Sequence, residues 1–457
     1  MKSLLALLVF PALVFGELRI GTATQNITPK LGIPLAGYYS ERGADGIHDP
    51  LNAKVIVLES DGVKAALVSL DLIGTLRSSV EEARSLITQQ TGIPGQNVMI
   101  SATHSHTGPI FAGSRRFDVM GGQHELASEY TSMLPRLIAA AVKDANTKLI
   151  PARASFASSR VEGLAFNRRF HMRDGSVGWN PGKFNTNIVR VAGPTDDEVA
   201  VVYFEDAQAR PVATYVNFAM HLDTVGGTHF SADYPFTLSE LLARAKSPEM
   251  LTVFTIGCAG DINHVNVRWS DKQKGHTEAA RIGTILAAGV LRAYEQLLTN
   301  SPDATLRISR EMVSLPLPKI SEADVASAEK IASAVSEKVA PTPKFMDQVQ
   351  AFKVLDIDAR KGEPQQVEVQ VIALGGEVAW VSLPGEIFVE LGMSIKSGSP
   401  FKQTIIAELA NGSIGYIPTR RAYSEGNYEV VSARCAEGSG ELLVASALRQ
   451  LRKLYSK

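Results

Sequence analysis

Three observations in this sequence predict an α/β protein of mixed, twisted β-sheets flanked by helices. Runs rich in Val, Ile, Tyr and Phe alternate with helical stretches that stop at Gly or Pro. Polar residues of unusual type stand directly after the strand-like runs, on loops, where open α/β sheets place their sites. The chain of 457 residues, 45% hydrophobic and 20% charged, is long enough to bury a sizeable core.

The first segment stands apart. Lys2 precedes an apolar run from Leu4 to Phe15 that ends in Val14-Phe15-Gly16, which is the pattern of a secretory signal peptide over 1–16, cut after Gly16. The run falls short of the ~20 apolar residues a membrane span needs, so the expectation is an exported protein, periplasmic or secreted. The mature chain, 17–457, is long enough for two or three domains or for one large α/β enzyme unit. Another apolar stretch, Ile282 to Val290, is broken by Gly283, Thr284 and Gly289 and fits a buried helix.

Lys54–Glu59 and Lys64–Leu70 form a β pair around Ser60-Asp61-Gly62. Ser78 with Glu81, or Ser79 with Glu82, offers a capping box for a helix to Thr91, closed by Gly92 and Pro94. Asn97–Ser101 is a short strand that delivers SATHSHTGP, and a long helix runs from Glu125 to Asn146. Ala152–Arg160, Val199–Phe204 and Val212–Phe218 are strands, the last leading into Met220-His221. A helix from Pro235 to Ala245, a buried strand from Leu251 to Ile256 ending in GCAGDINHVN, and a helix from Thr277 to Leu298 follow. Asn300–Asp303 and Pro316–Lys319 are loops, and about 316–362, with a charged helix from Glu322 to Lys338 punctuated by Pro341 and Pro343, is a candidate peripheral insertion. Val367–Leu374 and Val378–Ser382 flank a two-residue hairpin at Gly375-Gly376. After it, LPGE opens a helix from Ile387 to Ser394, Thr404–Glu408 is a strand, and Gly440–Lys457 is a closing helix.

Charge and cysteine content exclude several classes. The 46 Lys+Arg balance 47 Asp+Glu without a basic block, so the clustered positive face that nucleic acid requires is missing. Cys258 and Cys435 are too few for a disulfide scaffold and read as free, buried thiols, although export would permit one bridge. No GxSxG elbow, nucleotide-binding Gly loop or HExxH helix occurs, so serine-hydrolase, NTPase and zincin readings lack their motifs.

What remains are loop residues after strands. His104 and His106, two apart after a β run, point to one side if the backbone stays extended. His221 follows an apolar strand, and Glu386 follows another. Two imidazoles and a carboxylate are a common zinc set, with a position left for water, yet each also has a structural reading: core-satisfied histidines, and a carboxylate favoured by a helix N-terminus. Arg168-Arg169 fits an oxyanion site or a solvated loop, Tyr416 and Tyr428 a site or a core rim, and Asp261 a ligand-approach or a packing turn. Ser105 and Ser413 are nucleophiles only in the sense that any loop serine is.

Taken in order, IGTATQNITP (Ile20 to Pro29), GIHDPLNAKVIVLE, SATHSHTGP, FNRR, the His221 segment with FSADYP, GCAGDIN, SLPGEIF and ANGSIGYIPTRRAYSEGNYE resemble the catalytic N-terminal domain of the neutral/alkaline, non-lysosomal ceramidases. The resemblance implies one Zn2+ per chain on His104, His221, Glu386 and Tyr416, a phenol being an uncommon ligand. It places His106, Arg168 and Tyr428 at the reaction centre, with Asn263 and Asp261 at the substrate, and it implies hydrolysis of a ceramide-like lipid amide. Peripheral membrane contact fits such a substrate; no protein partner is expected. The family's Gly-Asp-Val-Ser-Pro stands here as Gly260-Asp261-Ile262-Asn263-His264, which replaces the serine by Asn263 and disfavours a serine nucleophile. His-Pro-Thr has become His221-Leu222-Asp223-Thr224, and the C-terminal immunoglobulin-like domain of the family is not expected within these 457 residues. These departures leave open another amide or ester as substrate, and a non-catalytic lipid- or glycan-binding relative.

Overall fold

Alternate residues of the central strands are buried on both faces, and this dictates the layer order of the computed structural model, which describes residues 17–112, 125–299 and 304–456. The expected signal peptide (1–16) and the loop 300–303 lie outside the described residues. In Asn52–Ser60, Val55 and Val57 face a core shared with helices, whereas Ile56 and Leu58 face a second sheet. In Glu198–Asp206, Val199 and Val201 divide in the same way from Val202 and Phe204. A period of two with both faces apolar is what makes these runs read as continuous hydrophobic strands.

The large sheet has nine strands. Its main path runs Leu251–Ile256, Pro211–Phe218, Glu198–Asp206, Ile150–Arg160, Arg19–Asn26, Asn52–Ser60, Val63–Leu70, Val98–Ala102. The inner neighbours are antiparallel, and the pair at each edge is parallel. Helices Arg77–Thr91, Glu125–Thr147, Tyr234–Ala245 and His276–Tyr294 cover one face. Against the other packs a four-stranded sheet, Leu306–Leu315, Gln365–Leu374, Val378–Ser382 and Gln403–Ala407, with Trp380 and Ile405 in the shared core. Helices Val389–Gly398 and Ser439–Tyr455 close its far side through Leu391, Ile395, Leu443 and Leu451. The predicted fold class is therefore the observed one.

The large sheet curls until its edges approach each other: Ser69, one strand from one edge, donates its hydroxyl to the carbonyl of Phe254 in the opposite edge strand, 2.5 Å away. That curl brings together the ends of strands far apart in sheet order.

Several local expectations are revised. Helix Arg77–Thr91 starts before both predicted capping boxes, with Leu76 as its N-cap and no side-chain cap, although Gly92 ends it in the left-handed conformation (φ 74) as expected. The helix predicted to reach Leu298 stops at Tyr294, because Leu298–Thr299 instead pairs with Phe156 and Ser155. The hairpin loop has three residues, 375–377, since Leu374 pairs with Val378. Residues 316–362 form a helix pair, Glu322–Ser336 and Phe345–Asp358, around Ala328, Ala332, Phe352 and Leu355, and Tyr39 packs its ring on Phe345. Cys258 and Cys435 are both free and buried. No helix among the described residues is long and apolar enough to cross a membrane.

Asn411 ties the two sheets. Its backbone and side chain pair with Ile100 of the large sheet (2.7 and 2.9 Å), while Nδ2 donates to Gln370 and Ser382 of the smaller one (2.8 and 3.2 Å). Asn411→Ala is expected to lower unfolding free energy by about 2–4 kcal/mol, because buried groups on both sheets lose partners; chemical denaturation checks it.

Candidate metal centre

His104 stands two residues past the end of strand Val98–Ala102, with a positive φ of 76. For a non-glycine residue such a conformation is strained and is held by its surroundings. Here the N–H groups of His104 and Ser105 both donate to Leu72 (2.8 and 3.1 Å). The His104 ring shares Nδ1 with the carbonyl of Ile73 (2.8 Å), and His221, just after strand Pro211–Phe218, shares Nδ1 with that of Ala259 (2.8 Å). A histidine tied to a carbonyl through Nδ1–H presents the lone pair of Nε2, the arrangement metal-ligating histidines adopt.

Both Nε2 atoms lie 3.3 Å from the same carboxylate oxygen, Oε2 of Glu386. Glu386 is not in the first turn of a helix, as the sequence suggested. It forms a two-residue strand with Ile387 that pairs in parallel with Tyr416–Ile417, and the helix begins only at Val389. This pairing sets Glu386 directly beside Tyr416, thirty positions later in the chain. His221 Nε2 and Glu386 Oε2 are buried and have no well-formed hydrogen bond despite their proximity. Converging buried donor atoms left unsatisfied are costly unless a cation completes them. His104, His106 and His221 also form a group whose ligand atoms lie within 4.8 Å of one another, so the residues present fit a metal ion.

His106 places Nε2 3.2 Å from Nε2 of His104, and its Nδ1 is buried without a partner. Gly37, at φ 95, makes room for this ring: a Cβ there would lie 2.7 Å from it. Burial, reinforced by the neighbouring charge of His104, holds the His106 pKa well below the ordinary value. Burial pulls His104 the same way, but the Glu386 carboxylate overrides it and raises the His104 pKa.

Arg168 is buried, and its guanidinium donates to Glu429 (2.8 Å), the carbonyl of Gly260 (2.7 Å) and the phenol oxygen of Tyr416 (3.1 Å). Burial opposes its charge, but Tyr416 and Glu429 outweigh that and keep it protonated. Glu429 also receives Arg169 (2.9 Å), so one fully buried carboxylate serves two guanidinium groups. Tyr428 packs against Tyr416 (ring centroids 5.5 Å apart) and against Trp179 (4.4 Å).

The structure thus brings His104, His106, His221, Glu386, Tyr416, Arg168 and Tyr428 to one place. Asp261 and Asn263, expected at the substrate, are engaged in the framework instead. Asp261 accepts from Asn167 (2.7 Å) and from the N–H of Val389 (2.9 Å), and burial pushes its pKa up to about 6. Asn263 donates to Asn180 (3.0 Å) and accepts from the N–H of Val265 (3.0 Å). Ser105 is buried and bonded to the carbonyl of Ser231, whereas Ser413 is exposed. Sequence reading missed Glu429, next to Tyr428, and the pair Asp223–His264 (3.3 Å). Their signal was present: Asp223 and His264 are two of the positions where the chain departs from the ceramidase pattern, and they meet in space.

Two cavities open on this cluster. One, of about 240 Å³, contains His104, Glu386 and the apolar side chains of Leu35, Ile73, Ile110, Phe111 and Leu409. The other, of about 490 Å³, contains Glu386, Tyr416, Tyr428 and a set of charged groups. Leu76, Glu386 and Ser413 belong to both.

A proton on Nε2 competes with a metal for the same lone pair. Because the His104 pKa is raised above its ordinary 6.5, uptake of a metal ion is expected to weaken as pH falls through that raised value; calorimetric titrations with divalent metal salts between pH 8 and pH 5.5 check it. Gly260→Ala should weaken uptake at every pH, since its Cβ would meet the backbone oxygen of Glu386 at 2.5 Å.

The sequence matches no family model and no curated protein. Solved structures do match. The crystal structure of neutral ceramidase from Pseudomonas aeruginosa is similar over 96% of this chain and 75% of its own, at 17% identity and a TM-score of 0.72. A structure described as ceramidase complexed with C2 is similar over 97% of this chain and 76% of its own, at 17% identity and a TM-score of 0.74. The fold of this chain is that of the neutral ceramidases.

Proposed function

We propose that the chain is a metal-dependent hydrolase that cleaves the N-acyl amide bond of ceramide or a related lipid amide into a fatty acid and an amine. The observation that carries this reading is the approach of His104 Nε2 and His221 Nε2 to one oxygen of Glu386, at the junction of two cavities. The ceramidases that share the fold favour the same reaction class.

His104, His221 and Glu386, with Tyr416 beside them, would hold the ion. Bound there, a zinc ion would supply the acidification of a water near neutral pH and the polarisation of an amide carbonyl. His106, kept neutral by burial and by His104, is suited to take the proton of the attacking water and pass it to the departing amine nitrogen, since an amide anion leaves badly. The Tyr428 side chain, in the wall of the charged cavity, supports the oxyanion. Arg168 acts through Tyr416: its donors are spent on Tyr416, Gly260 and Glu429, which makes it a positioning residue. Asn263 in place of the family serine leaves this route intact, because no side-chain nucleophile is required.

Export is proposed as well, on Lys2 and the apolar run Leu4–Phe15. N-terminal sequencing of the protein recovered from outside the cytoplasm should begin at Glu17; retention of residues 1–16 in that material counts against cleavage.

Fatty-acid release from a short-chain ceramide should be lost with a chelator and restored by zinc. His104→Ala and His221→Ala should each abolish zinc uptake and reduce turnover by about 10³-fold or more; full activity in either variant sinks the assignment.

A further inference from the structure

We infer that the amine portion of the preferred substrate carries a carboxylate, so that the enzyme favours N-acyl amino acids over ceramide. This rests on the hydrolytic reading above and concerns the charged cavity alone.

The two cavities differ in chemistry on either side of Glu386. The smaller, with Leu35, Ile73, Ile110, Phe111 and Leu409, suits an acyl chain. The larger is bordered by Arg77, Arg360 and Arg434, with Asp356, Glu368 and, against the histidines, Glu386 as counter-charges and Gln365 and Gln366 beside them. Those counter-charges are already committed. Asp356 is bonded to Arg434 at 2.6 Å. Glu368, fully buried, is shared by Arg84 (2.8 Å), Arg77 (3.4 Å) and Arg310 (3.5 Å), and Arg77 also donates through Nε to Glu81 (2.7 Å), which leaves its NH1 as the free donor. Arg360 has no ion pair or side-chain hydrogen bond among the described residues, and its Nε and the NH1 of Arg77 are buried without a partner.

Guanidinium groups with unmet donors are what a carboxylate satisfies, by charge-assisted and bidentate hydrogen bonds. The long alkyl chain of a sphingoid base would instead strip water from those groups without replacing it. With the scissile amide at Glu386, the acyl chain lies toward Leu35 and Phe111, and the carboxylate of the amine portion lies toward Arg77 and Arg360.

The test compares the zinc-loaded enzyme on N-lauroylglycine, N-lauroylethanolamine and a short-chain ceramide, with Arg360→Gln and Arg360→Lys beside the parent. The parent should favour N-lauroylglycine over N-lauroylethanolamine by about tenfold or more in kcat/KM, one charged hydrogen-bonded contact being of that size. Arg360→Gln should raise KM for N-lauroylglycine and bring the two substrates to near parity, and Arg360→Lys should restore part of the preference. Equal turnover of the two amides by the parent, faster turnover of the ceramide, or an unchanged preference in Arg360→Gln overturns the inference. If no amide is cleaved, the hydrolytic reading fails, and calorimetric binding decides the head-group site separately. Tighter binding of N-lauroylglycine than of N-lauroylethanolamine, lost in Arg360→Gln, supports it; equal binding overturns it.

Discussion

The path of the backbone from Leu383 to Val389 is the constraint on which the site depends. Glu386 donates its N–H to Gly415, Ile387 to the buried carboxylate of Glu408 (2.7 Å), Phe388 to Ile417 and Val389 to Asp261. In return, Gly260 donates to the carbonyl of Ile387 and Leu409 to that of Gly385. Three other stretches of chain thus fix one carboxylate. Gly260 and Gly385 are required there because backbone crosses at distances a Cβ would violate: 2.5 Å to Glu386 O at the first, 2.6 Å to Gly415 O at the second. A carboxylate held so rigidly can meet two histidines at one oxygen.

The histidines reach it because the large sheet curls. His104 leaves an edge strand and His221 the second strand from the opposite edge. In a flat sheet they would be far apart, at ~4.8 Å per strand spacing. The smaller sheet packs across the curled one and delivers Glu386 from its strand Val378–Ser382, so the site lies at the seam of two layers. Sites at strand ends are general in α/β proteins; this seam adds a buried environment in which electrostatic contacts are strengthened and unpaired groups are costly.

Buried charge around the site is arranged in chains of partners. Glu429 joins Arg168 to Arg169, and Arg168 joins Glu429 to Tyr416. Removing one member of such a set leaves another charge buried and uncompensated, which costs more than the pair contributes. At Asp223, burial favours the neutral acid, yet the close approach of His264 (3.3 Å) and its charge prevail and hold its pKa well below the ordinary value. Asp223 therefore stays ionised close to His106 and His221, and the two departures from the ceramidase pattern form one electrostatic unit.

The sequence by itself determined the element order, the strands with both faces apolar, and the position of the histidines and glutamate just after strands, because periodicity and turn chemistry are local properties of the chain. It grouped His104, His106, His221, Glu386, Tyr416, Arg168 and Tyr428 as a set only through the ordered resemblance to ceramidases, since spacing alone left each with a structural reading. The tertiary structure decided what local pattern cannot carry. It set Glu386 in a bridge opposite Tyr416 rather than in a helix turn, committed Asp261 and Asn263 to the framework, joined Asp223 to His264, and gathered Arg77, Arg360 and Arg434 around one cavity. Each of these depends on partners contributed by distant segments, and only the curl and stacking of the sheets bring those segments within hydrogen-bond reach.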